Sequence, residues 1–433
     1  MNRLSRFSGP ILAELLLNFC VSLVLFRLLG KIADAASGAT GSVNSLFSLF
    51  NMLFLGLSQA GGIMIANACG RGNDQLAARQ RGSLLLIFLI TTTAILLLVS
   101  AGRSFLVTQV MGLSGNSAEY AMNYCRIAQW SLATQAIAQF MTAIFRSLGN
   151  SMLPFLIALI NSSLTLTLLW LLPDYSAALD ISSIEWIALC QLSGSLVALL
   201  ISISVFLLFL HAPVELPSPG RFSGMEFKAI LILAFAVILE PVSYSLAQVV
   251  ISRFFAELGD AALAARAYAG TISVIPSLLG IALGWGAQIQ VSYLIGSGQL
   301  DEARSVVLRS CRLTVVLAPL FALFIYLNAA QLVSIFTSDQ SVIIAAKILL
   351  GCFVLIEIGR SCNTTIAPAL KARGDAAFVA RTAFVVMILV SLPIAWFLSF
   401  PLGLGILGLG LTAAFDEILR GWLNLKRWQR VDS

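Results

Sequence analysis

Glu14, Glu240, Glu357 and Arg360 are ionisable side chains set inside long apolar runs of this 433-residue chain. A charge at the centre of a membrane helix costs at least about 2.5–3.5 kcal/mol, so such residues are kept either to bind something or because a partner is built in. Glu240 directly precedes Pro241, whose ring removes an amide hydrogen and should free the carbonyl of Val237, placing a backbone acceptor beside a carboxylate. That combination suits a proton or a cation. The competing reading is that Glu240 pairs with a neighbouring helix or reaches the interface. Glu14, four residues after Pro10, either matches Glu240 in depth or is a solvated carboxylate favoured by a helix N-terminus. Glu357 and Arg360 stand at i and i+3 on one helix face, with Asn363 a turn further. The stripe reads equally as a cavity wall for ion or substrate and as a lock within the second half of the chain. Asp416, Glu417 and Arg420 leave the same two readings open, with closeness to the basic tail favouring an interfacial network.

The elements that must position these groups are membrane helices. The chain is 59% hydrophobic and 11% charged, with a mean hydropathy of +0.95, far outside the range of soluble domains. Apolar runs able to span a bilayer, about 20 residues each, fall near 8–30, 42–68, 82–102, 120–145, 152–173, 184–210, 227–256, 262–295, 306–327, 340–369, 376–399 and 402–424. The period is helical, without the short alternation of a membrane barrel. The fold expected is all-α, with twelve transmembrane helices in two pseudo-symmetric lobes.

The symmetry is written in the residues. At an offset of 226, Glu14 meets Glu240, Arg27 meets Arg253, Asp34 meets Asp260, Gly70 meets Gly296, Gly72 meets Gly298 and Ala77 meets Ala303. At 225, Arg146-Ser147-Leu148-Gly149-Asn150 meets Lys371-Ala372-Arg373-Gly374-Asp375. Six spans per repeat put both repeats the same way round, and duplicated membrane units commonly hold a substrate site between halves. The domains expected are an N-lobe 1–210, a Pro-rich cytoplasmic linker 211–226 and a C-lobe 227–433. The Arg and Lys residues of alternate connections place that side, and both termini, in the cytoplasm, whereas Asp174, Asp180 and Glu185 mark the opposite side. The formal charge of +6 is thus a topology signal, and nucleic acid is not an expected partner. The first span is expected to be retained rather than cleaved as a signal peptide. One histidine and seven cysteines without CxxC spacing argue against a metal site or disulfide framework. No GxxxxGK[ST] loop is present, so transport energy must come from a gradient or a partner subunit.

Several of these segments resemble one family. Ala66-Asn67-Ala68-Cys69-Gly70-Arg71-Gly72-Asn73, with Ala77, is similar to the second-to-third-helix junction of the multidrug and toxic compound extrusion (MATE) family, and Gly296-Ser297-Gly298-Gln299 with Ala303 resembles the same junction in the second lobe. Arg146 to Asn150 and Lys371 to Asp375 resemble its R-x-x-G-N/D turns, and Glu357 to Asn363 its tenth-helix E-x-G-R-x-x-N. The turns themselves read as structural, glycine permitting the reversal at positive φ and arginine anchoring at headgroups. The resemblance implies a V-shaped, two-lobed exporter of organic compounds that works by rocker-switch alternating access in exchange for H+ or Na+. It also implies departures: the first-helix aspartate of many members falls at Leu25, and the seventh-helix glutamate falls at Tyr244, one turn from Glu240. Arg360 as a fixed cation would favour an anionic or zwitterionic substrate.

The function expected is therefore secondary active export of a drug or secreted metabolite by proton- or sodium-coupled antiport, by a protein that is not an enzyme. The alternative is a flippase for a lipid-linked precursor. Expected site residues are Glu240, Tyr244, Glu357, Arg360, Asn363 and Glu14. No cofactor or metal is expected beyond H+ or Na+ as coupling ion. Partners are a small organic substrate and membrane lipid, and the protein is expected as a monomer in the bacterial cytoplasmic (inner) membrane.

Overall fold

In lipid every backbone amide must be satisfied within its own segment, so apolar runs of this length close into helices. The computed structural model describes residues 2–30, 34–171, 183–210, 212–216 and 224–430. Asp174, Asp180 and half of the expected linker, residues 211 and 217–223, lie outside the described residues, as do the side chains of Arg27 and Asp34. Among the described residues twelve long helices run in order: α1 Asn2–Gly30, α2 Asp34–Gly70, α3 Asp74–Val110, α4 Gly115–Ser147, α5 Met152–Leu171, α6 Ser183–Val205, α7 Gly224–Glu257, α8 Asp260–Gly296, α9 Leu300–Leu327, α10 Gln340–Arg373, α11 Ala376–Ser399 and α12 Gly405–Arg430. Ten candidate spans are long and apolar enough to cross a membrane. The two helices outside that set, α4 and α12, carry their polar residues inward: Gln129 and Thr134 on α4, and Asp416, Glu417, Arg420 and Asn424 on α12, are all buried.

The chain divides into two compact units, one of residues 13–234 and one of residues 1–12 with 235–433. In the first, α4 packs on α2 and α6, over an aromatic ladder in which Phe54 stacks on Phe88 at 6.0 Å and Phe88 meets Phe140 edge-on at 5.9 Å. The backbone of residues 212–216 lies along α3, with the Glu215 amide donating to Ala78 and Arg81 donating to the Pro213 carbonyl at 2.9 Å. The second unit is built around α10, which packs on α8, α9 and α12. Small buried residues such as Ala265, Ala269 and Ala346 allow these helices to approach closely. Asp339 caps α10, its carboxylate accepting from the Ser341 amide at 2.8 Å, and these bonds hold its carboxyl below the usual range.

The four glycine turns share one geometry. Gly72, Gly149, Gly298 and Gly374 have φ of 67°, 79°, 76° and 100°, and in each the next residue's amide reaches back five positions: Asn73 to Ala68, Asn150 to Phe145, Gln299 to Leu294 and Asp375 to Leu370. This is a left-handed helix stop that satisfies the last carbonyls, and only glycine adopts it without steric cost.

Candidate functional site

Two ion pairs occupy repeat-related places. The Arg146 guanidinium at the end of α4 meets Glu14 of α1 at 2.8 Å, and the Lys371 ammonium at the end of α10 meets Glu240 of α7 at 2.5 Å. All four side chains are largely buried. Each pair ties the first helix of a repeat to its fourth. Arg146 and Lys371, read from the sequence only as parts of turns, are each turned inward on a carboxylate. Glu14 is likewise no solvated carboxylate, and Glu240 has a cation of its own unit beside it. Pairing removes most of the cost of holding either charge alone at such a position.

The larger constellation lies in the second unit, where α8, α10, α11 and α12 converge. Glu357 is 2% exposed and accepts from Ser277 of α8 at 2.7 Å and from Arg360 at 3.1 Å. Arg360 also donates to Ser277 at 2.9 Å and meets Glu417 of α12 at 3.4 Å. Asn363 donates to the Glu417 carboxylate at 2.7 Å and to its carbonyl at 2.9 Å, and itself accepts from Asn424. Arg420 bridges Asp416 at 2.6 Å and Glu417 at 3.1 Å. Ser391, on a π-helical stretch of α11, Val385–Ser391, donates to Asp416 at 3.0 Å; such widened turns re-aim side chains and recur at functional sites.

A glycine makes this convergence possible. A Cβ on Gly359 would land on the backbone of Glu417 and Ile418, so only its absence lets α10 and α12 cross closely enough for Arg360 and Asn363 to reach Glu417. The sequence places Glu357, Arg360 and Asn363 on one face, and the structure does the same. It overturns the interfacial reading of Asp416, Glu417 and Arg420, which are buried and continue the same network. Arg360, read as a fixed cation, lies between two carboxylates.

This network forms part of the wall of a cavity of about 780 Å³ to which Arg360, Asp416, Glu417 and Ser277 contribute, together with Tyr244 and Arg266. Tyr244, half-exposed, is in the lining, whereas Glu240 and Glu14 are absent from it. The network itself holds three carboxylates, Glu357, Asp416 and Glu417, against the two guanidiniums of Arg360 and Arg420. One negative charge therefore has no cation of its own within the network.

The first unit holds a smaller cavity, about 330 Å³, lined by Asn18, Asn44, Asn51, Gln135, Asn161 and Gln191 with several hydroxyls. No charged side chain lines it among the described residues. The Tyr124 hydroxyl stands 3.1 Å from both the Asn44 and Gln191 amides, able to donate to one and to accept from the other once that amide is turned. Leu25, where the resemblance implies a lost aspartate, is in this wall.

Sequence reasoning missed Ser277 and Arg266 altogether. Arg266 carried a signal, a lone arginine in an apolar run; Ser277 carried none, because serines are common in these helices.

Helices of membrane length, repeated in sequence and each repeat enclosing a polar cavity, define a duplicated membrane transporter. The chain belongs to the MatE family of multidrug and toxic compound extrusion transporters, whose family model matches residues 10–171 and again residues 236–397, at the same 226-residue displacement that aligns the repeats. The transporter YisQ of Bacillus subtilis is 31% identical over 190 residues, 44% of this chain and 42% of that protein, so the match spans less than half of YisQ. The probable multidrug resistance protein YoeA of Bacillus subtilis is 22% identical over 367 residues, 83% of this chain and 79% of that protein. Among solved structures, the bent form of the Vibrio cholerae MATE transporter VcmN superposes with a TM-score of 0.89 at 20% identity, covering 99% of this chain and 96% of that one. An outward-facing multidrug resistance MATE family transporter gives 0.90 at 16% identity, covering 99% and 94%.

Proposed function

We propose that this transporter exports a small organic compound by antiport against protons or sodium, through alternating access of its two six-helix lobes. The observation that carries this reading is the charge imbalance of the buried network, in which the carboxylates of Glu357, Asp416 and Glu417 meet only the guanidiniums of Arg360 and Arg420, part of it facing a space large enough for a drug-sized molecule. A network one cation short takes up one proton or one sodium ion, and the ion leaves when the surroundings of the carboxylates change with the transport cycle. Asp416 lines the cavity and is held by Arg420 and Ser391. Glu357 lies just behind, reached through Arg360 and Ser277. Coupling thus resides in the second unit, whereas Glu14 and Glu240 close ion pairs that hold each repeat together.

The test is accumulation of a panel of fluorescent organic cations and anions in an efflux-deficient bacterium producing wild type, Glu357→Gln or Asp416→Asn at equal membrane levels. Wild type should lower accumulation of at least one dye, and either variant should lose most of the dependence on the pH or sodium gradient. Gradient dependence that persists undiminished in both variants removes the network from coupling.

A further inference from the structure

Arg266 stands apart from every other charged group of the second cavity. Arg360, Asp416 and Glu417 each face an opposite charge, but the guanidinium of Arg266 is held by neutral partners alone among the described residues: the Gln248 side-chain oxygen at 2.8 Å, the Gln248 carbonyl at 3.4 Å and the Ser252 hydroxyl. Its flat face lies over the Phe255 ring at 5.3 Å. These bonds engage three of the five N–H donors that a guanidinium carries, leaving two for a ligand. Its partners fix the group without neutralising it. A full positive charge kept in the wall of a membrane cavity with no carboxylate to oppose it is costly, and that cost is offset when the opposing charge arrives with the ligand.

We propose that Arg266 is a substrate-anion subsite, and that the compound carried in this cavity has a carboxylate or similar oxoanion on an apolar body. The inference rests on the export reading above and names the substrate class of the same cavity. Phe255, Ile251, Leu263, Leu349 and Phe353 supply apolar surface in the lining. Ser277, where the ion-pair network begins, is eleven residues further along α8, about 16 Å at 1.5 Å per residue. The anionic end is therefore bound well away from the carboxylates that would repel it. The guanidinium is already oriented by Gln248 and Ser252, and its remaining Nε–H and Nη1–H can each give a charge-assisted hydrogen bond to an anionic oxygen.

The experiment uses two probes with the same fluorescent body, dansylglycine, which carries a carboxylate, and dansylglycinamide, which is neutral. Binding is read as fluorescence anisotropy with the full-length protein in nanodiscs, for wild type, Arg266→Gln and Arg266→Lys. Wild type should bind the acid roughly tenfold or more tighter than the amide. Arg266→Gln should bring the acid down to the affinity of the amide while leaving the amide unchanged, and Arg266→Lys should restore part of the preference. A merely structural Arg266 would weaken both probes together or neither. An acid-to-amide ratio that is near one in wild type, or that survives Arg266→Gln, overturns the proposal. Uptake of dansylglycine into proteoliposomes under an imposed gradient separates the two readings: Arg266-dependent preference without transport refutes export and leaves the anion subsite standing, whereas transport without that preference does the reverse.

Discussion

The two repeats of this chain enclose cavities of opposite character. The first is lined by amides and hydroxyls and carries no charge among the described residues; the second, more than twice as large, is bounded by a buried network of carboxylates and guanidiniums and by a lone arginine. Around those cavities the repeats agree closely. The four glycine turns have the same hydrogen-bond geometry, and Glu14–Arg146 is repeated as Glu240–Lys371. Duplication has preserved the frame of each half and let the chemistry inside diverge. The residues that match between repeats are therefore the structural ones, and the residues that differ are where function should be sought.

The sharpest way to break that comparison is to remove the carboxylate that both guanidiniums share. Glu417→Ala strips a bond to a charged acceptor from each of Arg360, Arg420 and Asn363 in a buried site, and at about 1.5–3 kcal/mol for each such bond it should cost about 3–5 kcal/mol. Tyr124→Phe, which removes a neutral hydrogen bond in the first cavity, should cost only about 1 kcal/mol. Thermal unfolding in detergent compares them, and equal losses would mean that the two interiors are energetically alike.

The frame is tested next. Glu14→Gln and Glu240→Gln should each destabilise by about 1.5–3 kcal/mol, the range for hydrogen bonds to charged groups, and by similar amounts because the pairs are equivalent. Exchanging the partners, Glu14→Arg with Arg146→Glu, should recover part of the loss. If Glu240→Gln abolishes gradient coupling while leaving stability untouched, Glu240 belongs to the site and not to the frame.

Gly359→Ala should cost about 1–3 kcal/mol, the usual penalty of overpacking, because its Cβ must displace the α12 backbone at Glu417. It should lower transport more than Tyr124→Phe does. The smallest effect is expected at Asp339, which is exposed and lies outside the frame and both cavities. Asp339→Ala should speed hydrogen exchange at the Ser341 amide with little change in melting temperature. Its carboxyl is held below the ordinary value by the Ser341 bonds, so the protection is fully present above about pH 4, the unfolded value, and fades as pH falls through the lower folded value.

How much was legible follows from the same division. Helix number, the repeat and the turn glycines are set by local rules: span length, charge placement and positive φ at Gly72, Gly149, Gly298 and Gly374. Each leaves its mark within a few residues. The i, i+3 spacing of Glu357 and Arg360 likewise revealed a shared face. That Asp416, Glu417 and Arg420 join this face was not legible, because it depends on α10 and α12 crossing at Gly359, and a glycine in a helix does not name what passes against it. The partners of Glu14 and Glu240 were present in the alignment at 226 and 225, but as separate coincidences; that the cations of those turns, Arg146 and Lys371, face the carboxylates depends on how the first and fourth helices of each repeat pack. The pairing of Arg360 with Glu357 was legible from their spacing, but its second carboxylate, Glu417, was not, being 57 residues away.

The most direct test of the account is gradient-driven transport in proteoliposomes of whichever panel dye wild type moves fastest, measured under an imposed pH step and an imposed sodium step. The comparison sets Asp416→Asn and Glu357→Gln in the second cavity against Gln191→Ala and Tyr124→Phe in the first. The account predicts that the second-cavity variants lose acceleration by the gradient while facilitated exchange of the dye persists, and that the first-cavity variants still respond to the gradient. Loss of the gradient response in the first-cavity variants, with the carboxylate variants unaffected, would place coupling in the neutral cavity and contradict it.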